Sequence, residues 1–187
     1  MNNIFQGTLV ALAVDDPQVL AGAFTRWNRN AEFRRLLDDE PAILWSEKKI
    51  KDWLDKENSE ESPNNFFFQI HDAENDRLIG FVGLQLVLWN HGDAWVGIGI
   101  GESDYWGKGY GTEAMKLILR YAFTELNLHR VTLGVFSYNP RAIRSYEKAG
   151  FKVEGRLRGE INRQGERHDI LLMGILRREW EDICELC

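Results

Sequence analysis

Three glycines alternate with two long side chains in Gly107-Lys108-Gly109-Tyr110-Gly111, and Thr112-Glu113-Ala114 lead straight into helical spacing. Glycine has no Cβ, so such a run can bring backbone close to a ligand and turn its N–H groups one way. The first turn of the following helix has N–H groups without intrahelical partners and a partial positive charge, which makes phosphate its natural occupant. Lys108 offers a charge-assisted contact from the same loop. A glycine-rich turn that only redirects the chain is the plainer alternative. Two other phosphate loops fail on spacing. For a P-loop, Gly101 lies one residue too far from Gly107-Lys108, and Gly109 replaces the required hydroxyl. A dinucleotide fingerprint would have to fall inside the first strand–helix–strand unit, and no window of this loop matches it.

The pattern changes around that loop. Thr8 to Val14 reads as a strand, and Asp15-Asp16-Pro17 starts a helix with Val19, Leu20, Ala23, Phe24 and Trp27 recurring on one side. Ser46 caps a second helix carrying Ile50, Trp53 and Leu54, and the polar stretch Glu57 to Asn65 reads as a connector. Strands are expected at Phe66 to His71, Leu78 to Leu88 and Asp93 to Ile100. Gly109 to Leu126 is a helix, Arg130 to Val135 a strand, and Pro140 to Ala149 a helix closed by Gly150. Phe151 to Arg158 and Asp169 to Leu176 are the last strands, around a turn near Asn162-Arg163-Gln164-Gly165, and the tail adds a short helix. This order implies an α+β fold on a mixed sheet.

A chain of 187 residues suits one domain spanning 1–187 with a core of its own. No apolar run is long enough for a transmembrane helix, so no membrane partner is expected. The opening Met1-Asn2-Asn3-Ile4 lacks a basic segment leading into an apolar one, so no secretory signal is expected. Cys184 and Cys187 form a lone C-x-x-C at the C-terminus, with no second pair to complete a metal site or a disulfide framework. That usage suits a reducing cytoplasm. The net charge of -6 argues against direct nucleic-acid binding and is compatible with a cationic partner, though surface solubility explains it as well.

Trp106-Gly107-Lys108-Gly109-Tyr110-Gly111 resembles motif A of the GNAT acetyltransferases, Q/R-x-x-G-x-G/A, with Trp106 in place of Gln or Arg. Asn139-Pro140-Arg141-Ala142-Ile143-Arg144-Ser145-Tyr146-Glu147-Lys148-Ala149-Gly150-Phe151 resembles the family's second coenzyme A motif at the family's spacing. Read alone, the same segment is a capped amphipathic helix. The resemblance runs from about Ile79 to Leu176, and the wording around Trp106 is similar to the branch of ribosomal-protein N-terminal acetyltransferases. It implies a mostly antiparallel sheet of about seven strands, splayed at its centre and flanked by helices. It also implies acetyl-CoA as co-substrate, no metal, and an amine acceptor such as a protein N-terminus; a homodimer is one of the assemblies left open. The implied coenzyme A contacts are Ile98, Gly99 and Ile100 on the strand, Trp106 through Thr112 on the loop (Gly107, Lys108, Gly109, Tyr110 and Gly111 between them), and Asn139 and Tyr146 on the later helix. Gly97, Gly99 and Gly101 would permit close approach of the pantetheine arm.

Acyl transfer to an amine needs a deprotonated nucleophile, an oxyanion donor and a proton for the departing thiolate. A backbone N–H of the strand Val96 to Gly101 is the expected oxyanion donor, Tyr146 the acid, and Glu102 the candidate base, with a solvated loop carboxylate as its alternative reading. Glu113 reads as a helix-dipole contact. His71, His91, His129 and His168 fall in no motif, and Ala142 stands where some of the branch carry serine. Trp27, Trp45, Trp53, Trp89 and Trp95 could wall an acceptor pocket or fill the core, and Gly155 to His168 could be a gating loop or a solvated hairpin. Three classes stay open: a protein N-terminal or small-amine (polyamine, aminoglycoside) acetyltransferase, a coenzyme A-binding sensor, and a nucleotide-binding structural protein.

Overall fold

A computed structural model of the chain describes residues 3–59 and 64–185. Seven strands and six α-helices follow in the order β1 (Val10–Ala13), α1 (Pro17–Trp27), α2 (Ala31–Leu37), α3 (Glu47–Ser59), β2 (Phe66–Asp72), β3 (Leu78–Leu88), β4 (Asp93–Ile100), α4 (Tyr110–Thr124), β5 (Arg130–Phe136), α5 (Pro140–Ala149), β6 (Lys152–Arg163), β7 (Glu166–Leu176) and α6 (Arg177–Glu185). They form one sheet in the order β1-β2-β3-β4-β5-β7-β6, antiparallel except where β4 meets β5. This is the α+β arrangement expected from the order of elements, and the mostly antiparallel seven-stranded sheet implied by the resemblance.

Strand alternation divides the core between the two faces of the sheet. Val82 and Leu84 of β3 join Ile118, Phe123 and Met173 under α4. Phe81 on the same strand joins Phe67 of β2 and the buried faces of α1 to α3, with Phe24 stacked on it at 4.9 Å. The start of α1 follows its sequence signals: the Asp16 carboxylate accepts from the Gln18 N–H at 2.7 Å, and Pro17 opens the helix. Helix α2 was not legible in the sequence. Asn30 caps it through the N–H groups of Glu32 and Phe33, but in seven residues only Phe33 is fully buried, too little for a periodic signal.

Several boundaries differ from expectation. Strand β1 starts at Val10 rather than Thr8, because the Glu113 carboxylate takes the N–H groups of Thr8, Leu9 and Val10 at 3.1, 2.6 and 2.8 Å. Glu113 therefore clasps the N-terminal segment to α4. Helix α3 runs to Ser59, into the expected connector, of which 60–63 lie outside the described residues. The stretch Gly155 to His168 is a hairpin, β6 paired with β7 across a turn in which Gln164 and Gly165 have φ of 56° and 84°.

Two glycines of the β4 segment also have a packing role. A Cβ on Gly101 would lie 2.0 Å from the Trp27 indole, and one on Gly99 would lie 2.8 Å from the Phe81 ring. These vacancies are filled by the protein's own aromatics, while a Cβ on Gly97 would meet only Gln85, at 4.0 Å. Gly101→Ala should cost about 3 kcal/mol by overpacking against the buried Trp27, read as a lower urea midpoint at unchanged slope.

Candidate active site

Strands β4 and β5 are hydrogen-bonded only where Asp93, Ala94 and Trp95 face Arg130, Val131 and Thr132. Beyond Trp95 the two diverge, while β4 stays paired to β3 as far as Ile100. The Gly101 N–H donates to the Ile79 carbonyl on β3 at 2.9 Å. Antiparallel alternation then turns Gly99 and Gly97 toward β3 and leaves the backbone N–H of Ile98 facing the gap. The splay thus opens a row of backbone donors and acceptors in the middle of the sheet.

A cavity of about 240 Å³ fills one side of that gap. Of the expected contacts, β4 supplies Ile98, Gly99 and Ile100; the loop supplies Trp106, Gly107 and Gly109; α4 supplies Gly111 and Thr112; α5 supplies Tyr146, with its cap Asn139. Lys108 and Tyr110 do not line it; Tyr110 instead packs edge-on against Tyr105 at 4.8 Å between ring centres. Gly107 and Gly109 have φ of 75° and 97°, a region that favours glycine, and Gly109 is the N-cap of α4. Helix geometry leaves the first N–H groups of α4 free of intrahelical acceptors beside this cavity. Asn139 is buried; its carboxamide oxygen accepts from the Ala142 N–H at 3.1 Å to start α5. Trp106, the residue that departs from the motif, donates its indole N–H to the Ile100 carbonyl at 2.7 Å and so ties the loop to the end of β4.

A second cavity, of about 750 Å³, lies between α1 to α3 and the sheet. Aromatic side chains including Trp45, Trp53 and Phe67 wall it. Trp27, the last residue of α1, is buried, and Trp89 and Trp95 are exposed and line neither cavity. The two cavities share Leu36, Leu37, Ile98, Asn139 and Tyr146, so they meet at the splay. Their charges are opposite. Among the described residues, the first is lined by Arg141, Arg144 and Lys148 with no carboxylate, and the second by Asp38, Asp39 and Glu40 against Arg34. Arg163, from the β6–β7 hairpin, donates to the backbone carbonyls of Asp38 and of Glu40, the latter at 3.1 Å, and fixes the acidic segment in place.

Tyr146 sits at the junction, where desolvation pushes its phenol up to about 12. It is therefore a neutral hydrogen-bond donor across ordinary pH. Glu102 is elsewhere. Its carboxylate lines neither cavity and accepts from Arg26 at 3.0 Å, Trp27 at 2.9 Å and Arg77 at 2.6 Å. Burial alone would raise its pKa, but the hydrogen bonds from Trp27 and Arg26 and the charge of Arg77 outweigh it, and the net shift is downward. A carboxylate so satisfied is a poor proton acceptor, which removes the geometric case for Glu102 as base. No histidine lines either cavity; His71 bridges the Asp15 carboxylate and the Asp76 carbonyl at 2.8 and 2.9 Å. Among the described residues, no group of three metal-ligating side chains is close enough to hold an ion. No described helix is long and apolar enough to cross a membrane.

The sequence reading missed Leu36, Leu37, Arg141, Arg144, Ser145 and Lys148. Of those on α5, Arg141, Arg144 and Ser145 occupy variable positions of the second motif and Lys148 its fixed lysine position, but the spacing of all four, i, i+3, i+4 and i+7, puts them on one helical face. That periodicity was the available signal.

A family model described as an acetyltransferase (GNAT) domain matches residues 8–152. The chain belongs to the GNAT acetyltransferase family. It is accordingly an acetyl-CoA-dependent acetyltransferase. Among its relatives, it is 34% identical to the Probable N-acetyltransferase YjcK of Bacillus subtilis strain 168, over 77% of this chain and 78% of that one. It is 33% identical to the spermidine N(1)-acetyltransferase of Escherichia coli strain K12, over 82% and 78%. The crystal structure of spermidine N-acetyltransferase from Vibrio cholerae, in complex with CoA and spermine, superposes with a TM-score of 0.81 at 27% identity, covering 94% of this chain and 99% of that one. These neighbours do not point specifically to the ribosomal-protein branch that the wording around Trp106 had suggested.

Proposed function

We propose that this GNAT enzyme moves the acetyl group of acetyl-CoA to a primary amine of a small polycation, a polyamine being the favoured class. The observation that carries this reading is the pair of oppositely charged cavities meeting at Ile98 and Tyr146. A basic cavity at two helix N-termini suits a polyphosphate thiol ester. An aromatic cavity with three carboxylates suits a chain of ammonium groups. The spermidine acetyltransferases among its relatives support the same acceptor class. An α-amine of a protein chain, the acceptor implied by the branch resemblance, is the second reading; its support is that same branch wording.

In the proposed reaction the neutral amine attacks the thioester carbonyl directly, and the new oxyanion takes the Ile98 N–H. The carbon–sulfur bond then breaks, and the Tyr146 hydroxyl gives its proton to the leaving thiolate. The ammonium formed on the product nitrogen returns a proton to the tyrosinate through water, which closes the proton balance without a separate carboxylate base. Glu102 acts at one remove, holding Arg26, Trp27 and Arg77 beside the end of β4. The cytoplasm is the proposed location, on the strength of the cysteine usage alone.

Arg163→Ala should release the acidic segment and raise the amine KM about tenfold while leaving the coenzyme A dissociation constant unchanged. The acceptor itself is tested by thiol release from acetyl-CoA with spermidine, spermine, a monoamine, an aminoglycoside and N-terminal peptides. The highest kcat/KM is expected for a polyamine. A peptide leading the series would overturn that choice, and tight coenzyme A binding with no release from any amine would favour the sensor class.

A further inference from the structure

Arg141 is placed where a cation should not rest unless something requires it. It is the second residue of α5, beside the positive end of the helix dipole. Its guanidinium lies 4.0 Å from the centre of the Trp106 ring, stacked on an indole whose own N–H is fixed to the Ile100 carbonyl. A guanidinium over an indole face is attracted to the ring quadrupole, which offsets the unfavourable helix dipole. Among the described residues, Arg141, Arg144 and Lys148 have no carboxylate within ion-pair distance, although Arg26, Arg77, Arg130, Lys152 and Arg156 each have one. Both Arg141 and Trp106 line the basic cavity.

We infer that Trp106 is a positioning residue that holds Arg141 as the side-chain contact to a phosphate of coenzyme A. The loop has no cation at its first position and takes one from α5. A backbone cradle of glycine N–H groups has no net charge, so a polyphosphate seated in it gains from a guanidinium fixed nearby in a single orientation. This inference rests on the reading that the basic cavity holds coenzyme A.

The test is calorimetric titration with coenzyme A, dephospho-coenzyme A and pantetheine. Arg141→Gln is expected to weaken coenzyme A about tenfold and to leave pantetheine, which has no phosphate, unchanged. An equal loss with dephospho-coenzyme A assigns the contact to the pyrophosphate, and a loss confined to coenzyme A assigns it to the 3′-phosphate; either supports the inference. Trp106→Leu should weaken coenzyme A in the wild-type background and have little further effect when combined with Arg141→Gln, since the two act as a unit. Trp106→Phe, which keeps a ring face, should recover part of the loss. The inference is overturned if Arg141→Gln binds coenzyme A within about twofold of the wild type, if it weakens pantetheine equally, or if Trp106→Leu has its full effect without Arg141. A wild-type protein that binds no coenzyme A would instead overturn the reading of the cavity itself.

Discussion

Tyr146→Phe is expected to lower kcat about 100-fold, within the range contributed by one positioned general acid, and to change the coenzyme A dissociation constant little. The split follows from where the hydroxyl sits. The Tyr146 ring belongs to the packing of α5, 6.1 Å from the Phe151 ring, and phenylalanine keeps that contact. Only the donor at the junction is lost, and a donor that serves the leaving thiolate matters in the transition state rather than in binding. The pH profile gives a second readout. Desolvation raises the phenol to about 12, so the protonated, active form persists far into alkaline pH. The acceptor amine becomes a nucleophile only as it deprotonates, near pH 10 in solution. Wild-type kcat/KM should therefore climb with pH through that range with no falling limb from Tyr146 until the phenol itself ionises. Equal losses in kcat and in coenzyme A affinity would show that Tyr146 serves binding instead.

Gly111→Val is expected to weaken coenzyme A binding by on the order of 100-fold and to leave thermal stability nearly unchanged. Gly111 differs from its neighbours in the loop. Gly107 and Gly109 hold positive φ, so substitution there strains the backbone whether or not a ligand binds. A Cβ on Gly111 would meet only Ile100 at 3.6 Å and Ser145 at 3.9 Å, which is ordinary contact. The added methyl groups then project among the residues lining the basic cavity, where the phosphate would sit. Titration with coenzyme A and a melting curve separate the two effects: weak binding with an intact melt is expected, and undiminished binding would mean that the phosphate lies elsewhere.

Much of this site was readable because it is local. Gly107 to Thr112 and Asn139 to Tyr146 are contiguous segments whose roles depend on backbone conformation and helix caps, properties that sequence reports directly. The acceptor side was not readable, because it is assembled from distant pieces. Asp38 to Glu40 follow a helix too short for a periodic pattern, and they are fixed by Arg163 from a hairpin more than a hundred residues further on. Glu102 shows the opposite failure. Its position beside the motif suggested a base, but the partners that neutralise that role, Arg26, Trp27 and Arg77, come from α1 and the β2–β3 turn. Gly101 has a packing role that was not legible: its missing side chain accommodates Trp27, which no local pattern could reveal.

In the proposed reaction, thioester and amine enter from opposite sides and meet at Tyr146 and Ile98. A crystal structure of the enzyme with coenzyme A and spermidine tests it most directly. The coenzyme A sulfur is expected within hydrogen-bond reach of the Tyr146 hydroxyl, with a spermidine nitrogen approaching from the cavity bounded by Asp38, Asp39 and Glu40. A sulfur remote from Tyr146, or a polyamine bound only outside that cavity, would contradict it.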